Sequence, residues 1–289
     1  MRRVSFFGAM IGGGIVALVF VFAYAWLRPS ERTAEKPLPT AFDPARYTGG
    51  RPRLDAPYVA TDLEVVDAML AMAEVSARDF VVDLGSGDGR ILIAAARSLG
   101  ARGLGIEIDP ERIREANANA RAAGVSNRVA FRREDLFRTP LGEADVLTLY
   151  LSADVNIRLR PRILEQMRAG THVVSHDFDM GDWRPDQRRR IGTATVYLWI
   201  VPARIEGQWT LSEGGRTVPI TLDQQYQNFI GTAEVNGADA RIDQGMLTGD
   251  RIRFVADLGG GRRAYEGRVE GNAIVPADGR GTWRMTRAG

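Results

Sequence analysis

The chain has no cysteine and only two histidines, His172 and His176, among its 289 residues. Disulfide frameworks, thiolate zinc sites and cysteine nucleophiles are excluded, and a histidine-rich metal centre lacks ligands, so no metal is expected. Lysine is nearly missing too: Lys36 is the single one, and 38 basic residues less one leave 37 arginines, a bias that a GC-rich genome accounts for. No excess of charge stands out either, since 38 basic residues face 36 acidic ones for a net of +2. Such a balance argues against a protein held to nucleic acid by a strong field. What is present, 45% hydrophobic and 26% charged residues, is enough to fill a core and excludes wholesale disorder; the length suggests two modest domains.

Ser5 to Leu27 runs 23 residues without a charge, between Arg2-Arg3 and Arg28. About 20 apolar residues cross a hydrocarbon core, so residues 1–28 are expected to form one transmembrane anchor. Ala23-Tyr24-Ala25 resembles a signal-peptide cleavage site, but the apolar run exceeds the roughly 7–15 residues of a signal core. Arg2 and Arg3 before the span compete with Arg28, Arg32 and Lys36 after it, which leaves orientation open. Residues 29–56 carry Pro29, Pro37, Pro39, Pro44 and Pro52 and read as an extended linker.

From residue 57 to 202 the pattern is β/α alternation. Helical spacing over Asp62 to Ala73, with Thr61 before it, predicts a leading helix. Strands are expected at Phe80–Leu84, Leu104–Ile108, Val129–Phe131, Asp145–Leu151 and Thr171–Ser175, with helices at Ile91–Leu99, Pro110–Ala123 and Asn156–Met167. Thr193–Val201 completes the sheet, and the Arg188-Arg189-Arg190 run reads as a solvated face. This order implies an α/β fold, a Rossmann-like doubly wound sheet, with its ligand over the carboxyl ends of the strands.

The chemistry concentrates in Asp83-Leu84-Gly85-Ser86-Gly87-Asp88-Gly89, after the first strand. Its glycines let the backbone turn sharply and a ligand approach the main chain. A dinucleotide fingerprint needs a third glycine at residue 90, which is Arg90, and two carboxylates, Asp83 and Asp88, would oppose a pyrophosphate. A cationic ligand fits better. S-adenosylmethionine carries a sulfonium and an ammonium, with ribose hydroxyls for Glu107 at the end of the second strand. Asp135 after the third strand suits its adenine amino group, and Leu136 or Phe137 the adenine face.

On these residues the segment from about 57 to 201 resembles the class I, seven-strand S-adenosylmethionine-dependent methyltransferases. It is most similar there to small protein lysine methyltransferases of archaea and mitochondria. The resemblance rests on Pro57-Tyr58-Val59-Ala60-Thr61, Val82 to Ile91, Gly105-Ile106-Glu107-Ile108-Asp109-Pro110, Asp135-Leu136-Phe137, Leu149-Tyr150-Leu151 and Val174-Ser175-His176-Asp177-Phe178. It implies S-adenosylmethionine as cofactor and a protein lysine as acceptor, and it gives Tyr58 and Thr61 a place over the methionine end of the cofactor. Tyr150, Trp183 and His176 are the candidate catalytic residues: Tyr150 and Trp183, with Phe178, as walls of an acceptor mouth that desolvates an amine, and His176, which ends a strand beside Asp177, in either a direct chemical role or a local hydrogen bond. The Asn/Asp-Pro-Pro-Tyr element of amino-nitrogen methylases is absent after Leu149. Alternatives are a small-molecule or lipid-borne nucleophile, or a non-catalytic cofactor sensor. The catalytic domain is expected on the cytoplasmic side of a membrane, where the cofactor is made.

Residues 203–289 show strands broken by glycine turns, at 207–211, 231–235, 252–255 and 281–285. The stretches Gly245–Ile252 and Gly267–Ile274 repeat one another, and their Gly-Asp and Gly-Asn steps suit tight hairpins. An antiparallel meander or small barrel is expected. Its 11 arginines balance 11 acidic residues, so no nucleic-acid groove is indicated.

Overall fold

The computed structural model describes residues 59–288. The anchor and linker expected over 1–28 and 29–56, and Tyr58, lie outside the described residues. Among the described residues no helix is long and apolar enough to cross a membrane.

The leading helix α1 is Leu63–Met72. The alternating units follow as β1 (Phe80–Leu84), α2 (Arg90–Leu99), β2 (Arg102–Glu107), α3 (Pro110–Ala122), β3 (Val129–Arg133), β4 (Val146–Leu149), α4 (Ala153–Gln166) and β5 (His172–His176). A hairpin of β6 (Gln187–Ile191) and β7 (Ala194–Ile200) closes the set. The seven strands lie in the order β3-β2-β1-β4-β5-β7-β6, with β1 to β5 parallel and β7 antiparallel to β5. Successive residues of a strand face opposite sides, and the two faces are buried differently. Val81, Val146 and Val174 pack beneath α1, α2 and α3, whereas Val82, Leu84 and Leu147 pack against α4 with Trp183 and Trp199. The chain runs outward from β1 to β3 and then returns to β4 beside β1. That reversal opens a crevice at the carboxyl ends of β1 and β4, where Asp83 and Tyr150 stand.

One expectation needs correction here. The fourth strand ends at Leu149, which leaves Tyr150 free of the ladder. The Arg188–Arg190 run is exposed, as read, and it belongs to the edge strand β6. Arginine at a sheet edge discourages pairing with a second chain.

The last segment is a closed, up-and-down antiparallel barrel of β8 (Gly207–Glu213), β9 (Arg216–Gln225), β10 (Asn228–Val235), β11 (Ala238–Thr248), β12 (Arg251–Asp257), β13 (Arg262–Glu270), β14 (Ala273–Pro276) and β15 (Trp283–Arg287). The two repeated stretches are the β11–β12 and β13–β14 hairpins, each turning on two residues whose first is a glycine at positive φ, Gly249 and Gly271. Aromatic rings fill the interior: Phe254 stacks on Tyr265 at 4.9 Å and Tyr265 meets Trp283 edge-on at 5.5 Å. Four strands, β9, β11, β13 and the short β14, were not placed by the sequence reading. Pro219 obscures β9, where it points outward, and polar residues dominate β11 and β13 because only alternate positions face the core.

Candidate functional site

Three glycines make the loop after β1. Gly85, Gly87 and Gly89 all lie at positive φ, and the Gly85 and Ser86 amides both donate to the Ile106 carbonyl, at 2.8 and 2.9 Å. A Cβ on Gly89 would stand 2.5 Å from the Phe131 ring, so the turn is fixed by packing from below as well as by φ.

The acids are held in distinct ways. The Glu107 carboxylate accepts from the Gly87 amide at 3.0 Å and from the Ile108 and Asp109 amides at 2.8 and 3.0 Å, which ties the end of β2 to the loop. Asp83 is buried, and Thr148, its register partner on β4, donates to it at 2.7 Å. Burial pushes the Asp83 carboxyl up to about 7, against the Thr148 hydrogen bond, with Glu107 and Asp88 adding repulsion. Asp88 behaves otherwise. Arg90 grips it from both Nε (3.0 Å) and Nη2 (2.7 Å), and Arg90 Nη1 reaches the Thr61 carbonyl at 2.8 Å. Asp88 is therefore paired with Arg90, which also holds the segment before α1, while it still lines the pocket. Asp135 accepts from the Phe137 amide at 2.8 Å, and Leu136 lies beside it.

These residues line one pocket, partly open to solvent, which brings together Thr61, Asp83, Gly85, Ser86, Asp88, Glu107, Asp135, Leu136 and Tyr150. Gly87 and Gly89 shape the loop from behind. Tyr150 lines the pocket; its ring stacks on His176 at 3.8 Å and faces Phe178 at 6.3 Å, and these two rings adjoin it without lining the pocket themselves. His176 is buried, with Nδ1 3.2 Å from Thr61 Oγ1 and Nε2 3.4 Å from the Asp177 carboxylate. Burial lowers the His176 pKa against the pull of Asp177, and burial first, then Asp177 and Asp62, raises that of Tyr150. Both are thus neutral near pH 7. Trp183 is the correction. It is fully buried, with Tyr226 stacked on it at 6.0 Å and the Trp199 ring tilted against it at 5.9 Å, and does not border the pocket.

Sequence reasoning missed Thr148 and Arg90. Thr148 is the polar residue inside the apolar strand Val146-Leu147-Thr148-Leu149, a signal that was available. Arg90 was weighed only as a missing glycine. The site suits a ligand with a cation and several hydroxyls: a cation would hold Asp83 ionised, and the buried Ser86 Oγ has no partner within the protein. Among the described residues no cluster of acids and histidines could hold a metal.

The family described as ANTKMT methyltransferase domain matches residues 83–187. A protein-lysine N-methyltransferase of Saccharolobus islandicus is 41% identical over 150 residues, 50% of this chain and 93% of that protein. The adenine nucleotide translocase lysine N-methyltransferase of mouse is 31% identical over 52% of this chain and 65% of its own length. Among solved structures, an RNA methyltransferase from Salinibacter ruber bound to S-adenosyl-L-homocysteine is similar, with 54% identity, a TM-score of 0.50, and coverage of 51% of this chain and 96% of that one.

Proposed function

The chain belongs to the class I S-adenosylmethionine-dependent methyltransferase family that includes the protein-lysine N-methyltransferases, and from that premise we propose that it N-methylates lysine side chains of proteins. S-adenosylmethionine supplies the activated methyl group, so the chain's own task is to hold donor and acceptor in line and keep water out. Asp83, Glu107 and Asp135 are the acids that would hold it, with the glycine loop against its backbone-facing side. The observation carrying the lysine reading is the neutral, aromatic mouth formed by Tyr150, His176 and Phe178 beside that acid-lined pocket. An amine nucleophile must lose a proton that it holds with a pKa of about 10.4. A desolvating wall favours its neutral form, and the Tyr150 face attracts the incoming ammonium.

RNA is the second reading, because the Salinibacter ruber relative is described as an RNA methyltransferase. The balance of 38 basic against 36 acidic residues weighs against it. We further propose that the uncharged run Ser5–Leu27 anchors the enzyme with its catalytic domain in the cytoplasm; digestion of that domain by protease added to intact cells would contradict this placement. The acceptor is tested by incubating the purified chain with methyl-labelled S-adenosylmethionine and a membrane extract. Label released by acid hydrolysis as methyl-lysine supports the proposal. Label confined to the lipid or small-molecule fraction overturns it in favour of those acceptors, and donor binding without any labelled product favours a sensor.

A further inference from the structure

The barrel touches the methyltransferase fold where the chain leaves β5, immediately after the mouth residues His176, Asp177 and Phe178. The tip of the β9–β10 hairpin presents Tyr226, at φ 56, and Gln227 to this connection. The Tyr226 ring stacks on Trp183 at 6.0 Å, and its hydroxyl donates to Asp182 Oδ2 at 2.9 Å. Gln227 Nε2 donates to the Arg184 carbonyl at 2.8 Å. Helix α4 holds the same connection. Arg160 lies 5.3 Å from the Tyr226 ring centre, donates to the Met180 carbonyl at 2.6 Å and pairs with Asp182. One turn earlier on α4, buried Asn156 donates to the Phe178 carbonyl at 3.0 Å, and Ser175 Oγ donates to it at 2.7 Å. The connection from Phe178 to Arg184 is thus held by both helix and barrel along its length, and Met180 and Trp183 within it are fully buried.

We propose that Tyr226 is a positioning residue for the acceptor: the barrel hairpin sets the Phe178–Arg184 connection, and through it the Phe178 and His176 side of the mouth, without touching the cofactor pocket. The inference rests on the reading of Tyr150, His176 and Phe178 as the acceptor mouth. It gives the barrel a part in acceptor recognition that a simple cap would not have. A close-packed segment transmits such a displacement because it has no slack to absorb it.

The test uses the full chain, with poly-L-lysine as acceptor and S-adenosyl-L-homocysteine as calorimetric probe, in wild type, Tyr226→Ala, Tyr226→Phe and Tyr150→Ala. Tyr226→Ala is expected to raise the KM for poly-L-lysine roughly tenfold while product-cofactor affinity stays within about twofold. Tyr226→Phe keeps the stacked ring and loses the bond to Asp182, so its KM rises less, about threefold, and it supplies the result if the alanine variant does not fold. An unchanged KM in the folded Tyr226 variants, or a loss of cofactor affinity as large as the rise in KM, overturns the proposal. If Tyr150→Ala raises KM in that case, the mouth reading survives and only the clamp fails; if it too leaves KM unchanged, both fall.

Discussion

Asp83 carries the most consequential charge in the pocket, because its environment withholds ionisation until a cation arrives. Its carboxyl titrates near 7 in the folded protein against an ordinary 3.8. Between those values the folded state binds the proton that the unfolded chain has released, so this group makes the ligand-free protein less stable as pH rises from about 4 to about 7, by about 4 kcal/mol at the most. Asp83→Asn retains an acceptor for Thr148 and removes the ionisation. Its thermal midpoint should be less sensitive to pH across that window and higher than that of wild type at pH 8, while affinity for S-adenosylmethionine falls; parallel pH profiles for both proteins would contradict the assignment. A second residue-scale outcome concerns Gly105, which faces the underside of the loop. A Cβ there would stand 2.5 Å from the Phe131 ring and 2.6 Å from Ser86 Oγ. Gly105→Ala should cost about 1–3 kcal/mol in denaturant titration and weaken product-cofactor binding, since the ring or the loop must move. Unaltered stability would show that the loop floor is softer than its contacts imply.

At the scale of elements, the junction of β2 and α3 shows how the site is braced. Asp109 caps α3 by accepting from the Glu111 amide at 2.8 Å, with Pro110 in the first turn, and the Asp109 amide in turn donates to Glu107. Asp109→Ala should cost about 1 kcal/mol in chemical unfolding, and less than that would mean the proline alone sets the helix start. The start of this helix was legible in the sequence, because Pro110 suits a first helical turn after a strand. The glycine loop was legible for the same reason: only glycine serves at its positive-φ positions. The pairing of Asp88 with Arg90 was not, since two adjacent charges give no sign of whether they face each other or a ligand. Trp183 failed for a related reason. Its neighbours Trp199 and Tyr226 are contributed by β7 and by the barrel, 16 and 43 residues away along the chain, and no local pattern reports such a meeting. The barrel strands were half legible, at the positions where apolar alternation is strict, and were lost where Pro219 and the polar outer faces blur the period.

For the whole molecule, a methyltransferase sheet and a closed barrel meet at a connection that also borders the acceptor mouth, so stability of the barrel and recognition of the acceptor should be separable by where the barrel is changed. Trp283 is buried among Tyr265, Ile274 and Met285 on the barrel interior. Trp283→Ala should lower stability by about 3–5 kcal/mol in thermal or denaturant unfolding, yet leave acceptor KM unaltered in the fraction that is folded, in contrast to Tyr226→Ala. The central claim, transfer of a methyl group to protein lysine, is tested most directly by giving the purified full chain labelled S-adenosylmethionine with total protein and total RNA in one reaction and digesting the products separately with protease and ribonuclease. The account predicts counts that protease releases, recovered as methyl-lysine, and that ribonuclease leaves in place; counts released by ribonuclease alone would contradict it.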